Sequence, residues 1–319
     1  MSQLAELLRS GHRPVVTAEL PVIDGGGMAT VRSQVAHFAP YVDGINATDN
    51  TAAHAHASNV AVAIAIRQLG VEPILQVVCR DKNRLALQAD IMGAAMHDVT
   101  TVCCLTGDDV TAGDEPESRR VFDLDAPQLV RTAAGMAAGQ YMSGRVIDPA
   151  PDLFIGAVEN PAVPPFEQRV RRAQTKAAAG ARFLQLQICY HPERLEAFTQ
   201  LAQRVGLTRK TALLQSVCLT RGARGLRFMN REVPGIHIPE ETLEWVDNAA
   251  DPAEAAYQVT LGQARHALSL PGISGLHIAD FRMDDSLGRL FTDLGLGGQE
   301  MQDVEELPAN PMSSPTAGS

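Results

Sequence analysis

The sequence is poor in aromatic residues, 4% with a single Trp, and it has no uninterrupted apolar run of the about 18 residues that a membrane-spanning helix needs. A membrane role is therefore not expected. Basic residues are the minority, with Lys and Arg at 27 against 37 Asp and Glu and a formal net charge of −10. General nucleic-acid binding needs a basic surface to neutralise phosphate, so it is not expected either. An anionic cofactor, which needs only a few local donors, stays open. The start, MSQLAELLRSGHRP, is a charged amphipathic turn without the apolar core of a signal peptide, which points to a cytoplasmic protein. The five cysteines, Cys79, Cys103, Cys104, Cys189 and Cys218, show no CxxC or CxxH spacing. They read as buried reduced thiols, and no metal site is expected. The G-x-G-x-x-G turn of an open dinucleotide-binding sheet is also missing after the first apolar run.

What is present is a repeated alternation of short apolar runs with helical periodicity. The stretch Glu72 to Asp109 shows it most plainly. Pro73 to Val78 is a β-branched run broken by Arg80-Asp81-Lys82-Asn83. Leu85, Leu87, Ile91, Met92 and Ala95 then recur on one helix face, and Thr100 to Leu105 is a second strand ending at Thr106-Gly107-Asp108-Asp109. Two strands with a helical crossover form a parallel βαβ unit.

The same reading gives strands at Pro14–Leu20, Val42–Ala47, Leu153–Val158, Arg182–Ile188, Thr211–Val217 and Ile273–Ala279. Helices are expected over 2–10, 29–39, 57–69, 84–96, 126–139, 166–179, 192–205, 239–247, 252–269 and 283–294, with Asp125 as the N-cap of the fifth. The acid-rich loop 107–121 is expected on the surface over the mouth. Eight strands alternating with helices, with no linker between halves, predict one (β/α)₈ TIM-type barrel over 1–296. The Gly-, Pro-, Ser- and acid-rich remainder, 297–319, reads as a disordered tail.

In such a barrel the carboxyl ends of the strands face one pocket. They supply Glu19, Thr48, Asp49, Gln76, Cys79, Arg80, Thr106, Gly107, Asp108, Asn160, Gln187 and Gln215. The set is hydrogen-bonding, with few carboxylates and no histidine, so a Ser-His-Asp hydrolase is not expected. His54 and His56 read as a solvated loop, with metal binding the minor alternative. Glu19 is either a functional acid or a strand-end carboxylate paired with an arginine. Asp108 is either functional or a turn residue, Gln187 either a ligand contact or a group that saturates backbone, and Lys176 in ordinary circumstances a surface lysine. These residues describe a ligand-binding barrel, and composition and spacing stop there.

The run LQVVCRDKNRLALQADIMGAA…VCCLTGDD followed by GDEPESRRVFDLD resembles the flavin-dependent methylenetetrahydrofolate reductase family. So do INATDN, GAVENP, KAAAGARFLQLQ and FMNREVPGIHIPEE, and the matches run in order over about residues 14–280. The resemblance implies FAD as cofactor and NADH or NADPH as donor. Methylenetetrahydrofolate and methyltetrahydrofolate are the implied substrate and product, in a ping-pong reaction.

It places Glu19 where the family keeps the general acid that opens methylenetetrahydrofolate to its iminium. A carboxyl works in that role when burial raises its pKa toward neutrality. It places Asp108 at the flavin pyrimidine edge and Gln187 on the folate and nicotinamide. Thr48, Gln76, Thr106, Gly107, Asp125, Asn160 and Lys176 fall at flavin-contacting positions, Lys176 near the pyrophosphate or ribose.

The chain departs from the family pattern at Leu20-Pro21-Val22-Ile23, where a Pro-Pro pair is frequent. It also departs at Leu186-Gln187-Ile188, at Gln76 in place of a histidine, at Arg169 in place of an acid, and at Arg224 and Leu226 in place of an aromatic residue. Two alternatives stay open: a related reductase oxidising methyltetrahydrofolate in C1 degradation, and a non-catalytic folate- or flavin-binding barrel within a larger complex. A homo-oligomer is compatible with either.

Overall fold

Short β-branched and apolar runs, each cut off by turn-forming residues, become eight parallel strands that close on themselves. They are β1 (Val15–Glu19), β2 (Gly44–Ala47), β3 (Pro73–Val78), β4 (Thr101–Leu105), β5 (Phe154–Glu159), β6 (Phe183–Leu186), β7 (Ala212–Leu219) and β8 (Ile273–Asp280). The computed structural model describes residues 2–297, so the expected tail lies, beyond Gly297, outside the described residues. Closure is direct: β1 pairs in parallel with both β2 and β8, placing Thr17 opposite Gly44 on one side and His277 on the other.

The helices follow in the order α1 (Gln3–Ser10), α2 (Gly27–Phe38), α3 (Asn59–Gln68), α4 (Arg84–Ala95), α5 (Ala126–Ala137), α6 (Phe166–Ala179), α7 (Pro192–Arg204), α8 (Ala223–Glu232), α9 (Glu240–Asp247), α10 (Pro252–Ser269) and α11 (Ser286–Asp293). Among the described residues no helix is long and apolar enough to cross a membrane.

Strand side chains alternate between the inside of the barrel and the helix layer. The outward set, including Leu75, Val102, Leu184 and Leu213, packs against Phe38, Ile66, Leu87, Leu129 and Phe198 of the helices in one continuous core. The inward set begins at the amino end with an apolar floor of Val15, Ile74, Cys103, Phe183 and Leu214. Gly156 belongs to this inward row, and a Cβ there would come within 2.2 Å of the Phe183 ring, so only glycine admits the aromatic side chain.

Helix α1 stoppers the amino end. Its fully buried Leu4 joins the floor, and Ser2 Oγ donates to Glu72 Oε1 at 2.7 Å while Thr101 Oγ1 donates to the same oxygen at 2.8 Å.

One helix departs from the expectation. Helix α8 forms between β7 and α9, where no helix is expected from the sequence, because Ala223, Leu226 and Met229 recur on one face. They pack with Ile188, Tyr190, Cys218, Leu243 and Val246 into a second apolar cluster. Strand β6 stops at Leu186, two residues short of the expected Ile188, while β7 runs on to Leu219. Asp125 caps α5 as expected, in a reciprocal box: Gln128 N–H donates to Asp125 Oδ1 at 2.8 Å and Asp125 N–H to Gln128 Oε1 at 3.0 Å.

Candidate active site

The carboxyl ends of the strands open into a cavity of about 340 Å³ that takes side chains from β1, β3, β4, β5, β6, β7 and β8. Of the residues singled out in the sequence, Glu19, Asp49, Gln76, Arg80, Thr106, Gly107, Asp108, Asn160, Lys176 and Gln187 line it. Thr48 and Asp125 do not. Thr48 is buried beside the cavity with its hydroxyl 3.5 Å from His56 Nε2, and Asp125 is occupied by the helix cap. Strand alternation also removes two residues read as mouth groups. Cys79 belongs to the outer core, and Gln215 turns away from the cavity, its Nε2 donating to the carbonyls of Gln187 and Ser216.

Local structure fixes several of the lining residues. Gly107 has φ +91°, and a Cβ would come within 2.5 Å of Val78 Cγ1. This tight turn brings Thr106 and Asp108 to the rim, where Thr106 Oγ1 accepts from the Ala126 N–H at 3.1 Å at the start of α5. Asp108 is surface-accessible, yet the surrounding walls dehydrate it enough to raise its pKa, with Arg80 pulling the other way. The direction follows the burial of the site. Arg80 is almost fully buried, held by both oxygens of Asp81 and by the Asn50 carbonyl. Asn160 is committed to structure: its Nδ2 donates to the Gly235 carbonyl at 3.0 Å and its Oδ1 accepts from Ala162 N–H at 2.9 Å.

Lys176 is buried and not on the surface. Its Nζ donates to the Val158 carbonyl at 2.6 Å and to Glu159 Oε2 at 2.8 Å. Burial lowers its pKa and outweighs the attraction of Glu159. Arg169 and Arg172 approach the same carboxylate at 3.7 and 3.8 Å. Three cations thus face one carboxylate, and this wall keeps a net positive charge.

His56 is structural. Its Nδ1–H donates to the Ala57 carbonyl, which leaves Nε2 to accept the Thr51 N–H at 3.2 Å. This pins a loop in which Asn50, Ala52 and Ala53 all take positive φ, a conformation costly for non-glycine residues. Asn50, Thr51 and Ala52 form part of the cavity wall.

Sequence reasoning passed over the layer beneath the mouth. Asn46, Gln185 and His277 are inward-facing, buried and hydrogen-bonded to one another. Glu159 and Arg172 were passed over too. The available signal was alternation: 183-185-187 and 275-277-279 lie on the inner face of their strands.

The arrangement has a candidate acid, Glu19, from β1, the Asp108 carboxylate from the turn after β4, amides from β3 and β6, and a cationic wall from α6. Residues 28–295 match the profile of the family described as methylenetetrahydrofolate reductase. The chain belongs to that family.

No curated protein matches the sequence significantly. Among solved structures, this methylenetetrahydrofolate reductase family member is similar to an uncharacterized protein from Clostridium thermocellum that binds two copies of 5-methyl-5,6,7,8-tetrahydrofolic acid. The two share 12% identity, over 92% of this chain and 97% of that chain, with a TM-score of 0.60. It is also similar to an EDTA monooxygenase from Chelativorans sp. BNC1, at 9% identity over 89% of this chain and 92% of that chain, with a TM-score of 0.53. At these identities the likeness concerns the barrel.

Proposed function

We propose that the protein reduces 5,10-methylenetetrahydrofolate to 5-methyltetrahydrofolate, with FAD as cofactor and NADH or NADPH as electron donor. The observation that carries the reading is the convergence of Glu19, Asp108 and Gln187 in one cavity of a chain that belongs to this family. These three come from sites far apart in sequence.

The residues fit the cofactor. The excess positive charge of Arg169, Arg172 and Lys176 over Glu159 suits a pyrophosphate, and Gln76, Thr106 and Gly107 offer polar and backbone groups at the rim. Bound FAD would supply a two-electron carrier between nicotinamide and folate.

The chain's own groups then divide the remaining work. Glu19 gives its proton to the folate nitrogen that leaves when the methylene bridge opens to the iminium. Asp108, as a carboxylate, stabilises that cation, and in a partly dehydrated site its field is stronger than in water. Gln187 orients the bound folate by hydrogen bonding. Arg80 favours the carboxylate form of Asp108, against the larger effect of burial.

Purified protein reconstituted with FAD tests the reading. Anaerobic titration with NADH and with NADPH is expected to bleach the flavin absorbance for at least one donor, and methylenetetrahydrofolate to restore it. Running the cycle from methyltetrahydrofolate fixes the preferred direction. Protein that takes up no FAD refutes the reading.

A further inference from the structure

Beneath the mouth, the barrel interior carries a chain of polar side chains where such barrels ordinarily carry branched apolar ones. Asn46 of β2 and Gln185 of β6 exchange two amide hydrogen bonds, at 2.9 and 3.0 Å. Gln185 Nε2 continues to His277 Nδ1 on β8 at 3.3 Å, and Thr17 Oγ1 of β1 reaches the same nitrogen at 2.9 Å. His277 Nε2 lies 4.0 Å from Glu19 Oε2. Thr17 and Asn46 are fully buried, and Gln185 and His277 nearly so. Placing four polar groups in a barrel core is costly unless each is satisfied. The floor directly below does without them.

The bonds also set a direction. The Cys103 thiol donates to Gln185 Oε1 at 3.5 Å, and burial pushes its pKa up to about 12, so it keeps its proton. With Oε1 fixed on that side, the NH₂ of Gln185 faces His277. An amide donor there requires Nδ1 to be the acceptor, so the ring proton sits on Nε2 and points at Glu19.

We propose that His277 is a positioning residue for Glu19, held in its Nε2–H tautomer by Gln185 and Thr17. The distance of 4.0 Å is one side-chain adjustment, or one bridging water, from a hydrogen bond. Through that contact the imidazole orients the carboxyl and stabilises the carboxylate left behind once Glu19 has passed its proton to the folate nitrogen. His277 keeps its own proton throughout. The inference rests on the folate reading for what Glu19 does, and on the geometry alone for the contact.

The contact is tested by ¹⁵N-histidine NMR of the full chain, with His277 assigned from a His277→Gln sample. The expected spectrum shows the Nε2–H tautomer, with ¹⁵N shifts that move in Glu19→Gln. An Nδ1–H tautomer, or shifts indifferent to Glu19→Gln, overturns the proposal.

The role is tested by half-reactions. His277→Leu is expected to slow folate reduction roughly 10- to 100-fold while flavin reduction by the donor stays within about threefold. His277→Gln, which keeps an N–H near the Nε2 position, recovers most of the loss. A folded His277→Leu variant with the wild-type folate rate, or with both half-reactions equally slowed, overturns the role. Wild-type protein that turns over no folate counts against the folate reading, and the NMR arm still decides the contact.

Discussion

Replacing Lys176 by Met tests what the cationic wall does for the fold and what it does for a ligand. The ammonium and Glu159 are both almost fully buried, at 3% and 2% side-chain exposure, and 2.8 Å apart. Removing one partner of a buried pair ordinarily costs about 3–5 kcal/mol, because the other charge is stranded. Glu159 is not wholly stranded here. Arg169 and Arg172 lie 3.7 and 3.8 Å away, and the Asn160 N–H donates to its other oxygen at 3.1 Å.

Burial already outweighs the attraction of Glu159 at Lys176, so losing the ammonium also removes a desolvation penalty. We therefore expect about 2–3 kcal/mol of destabilisation for Lys176→Met, below most of that range. The double variant Lys176→Met/Glu159→Leu removes both charges and is expected to return to within about 1 kcal/mol of wild type, since apolar replacement of a buried pair is often neutral.

Binding follows the net charge of the wall, which falls from +2 to +1 in the single variant and returns to +2 in the double, where Arg169 and Arg172 face no carboxylate. The single variant is expected to bind FAD about tenfold more weakly, a loss of about 1.4 kcal/mol, and the double variant to recover most of it. Urea unfolding of the apoprotein and fluorescence titration with FAD measure the two quantities. A single variant as stable as wild type, or a double variant less stable than the single, refutes the electrostatic account. Wild-type FAD affinity in the single variant refutes the ligand role of the wall.

Three further outcomes follow from the site. Glu19→Gln is expected to reduce the folate half-reaction by about 10²- to 10⁴-fold and to leave flavin reduction by the donor within a few-fold in stopped-flow traces. Equal loss in both halves contradicts its role as acid. Gly107→Ala combines φ +91° with a Cβ 2.5 Å from Val78 Cγ1. It should cost about 1–3 kcal/mol in urea melts and weaken FAD uptake, and a neutral result removes the tight-turn argument. Burial raises the Asp108 pKa above its ordinary 3.8. Between those two values the native state holds the proton more often than the unfolded chain, so stability falls as pH rises through that window. Asp108→Asn abolishes the effect, and its stability relative to wild type should rise from pH 3 toward neutrality; a pH-independent difference contradicts the shift.

The barrel was legible because its signals are local. Runs such as Pro73–Val78 and Thr101–Leu105 stop at turn residues, and Asp125 announces its helix by capping. Helix α8 was harder. Its buried face is only Ala223, Leu226 and Met229, set among four charged residues over Ala223–Glu232, and it gains stability from a cluster built by Ile188, Tyr190 and Cys218 elsewhere in the chain. Lys176 looked like a surface lysine because nothing beside it in sequence reveals Glu159. The polar layer under the mouth was the least visible part. Asn46 and Gln185 are 139 residues apart, Gln185 and His277 92, and each sits singly within an apolar strand. Only closure of the barrel brings them together.

The helix that stoppers the amino end has a consequence for traffic. With Leu4 seated in the floor and Ser2 bonded to Glu72 beneath it, the barrel is a cup and not a tube. On the proposed reading, nicotinamide and folate must come and go by the same rim, past the same 50–53 loop and Pro234. Two substrates that share one doorway take turns there. The order of events is then imposed by architecture, before any chemistry selects between them.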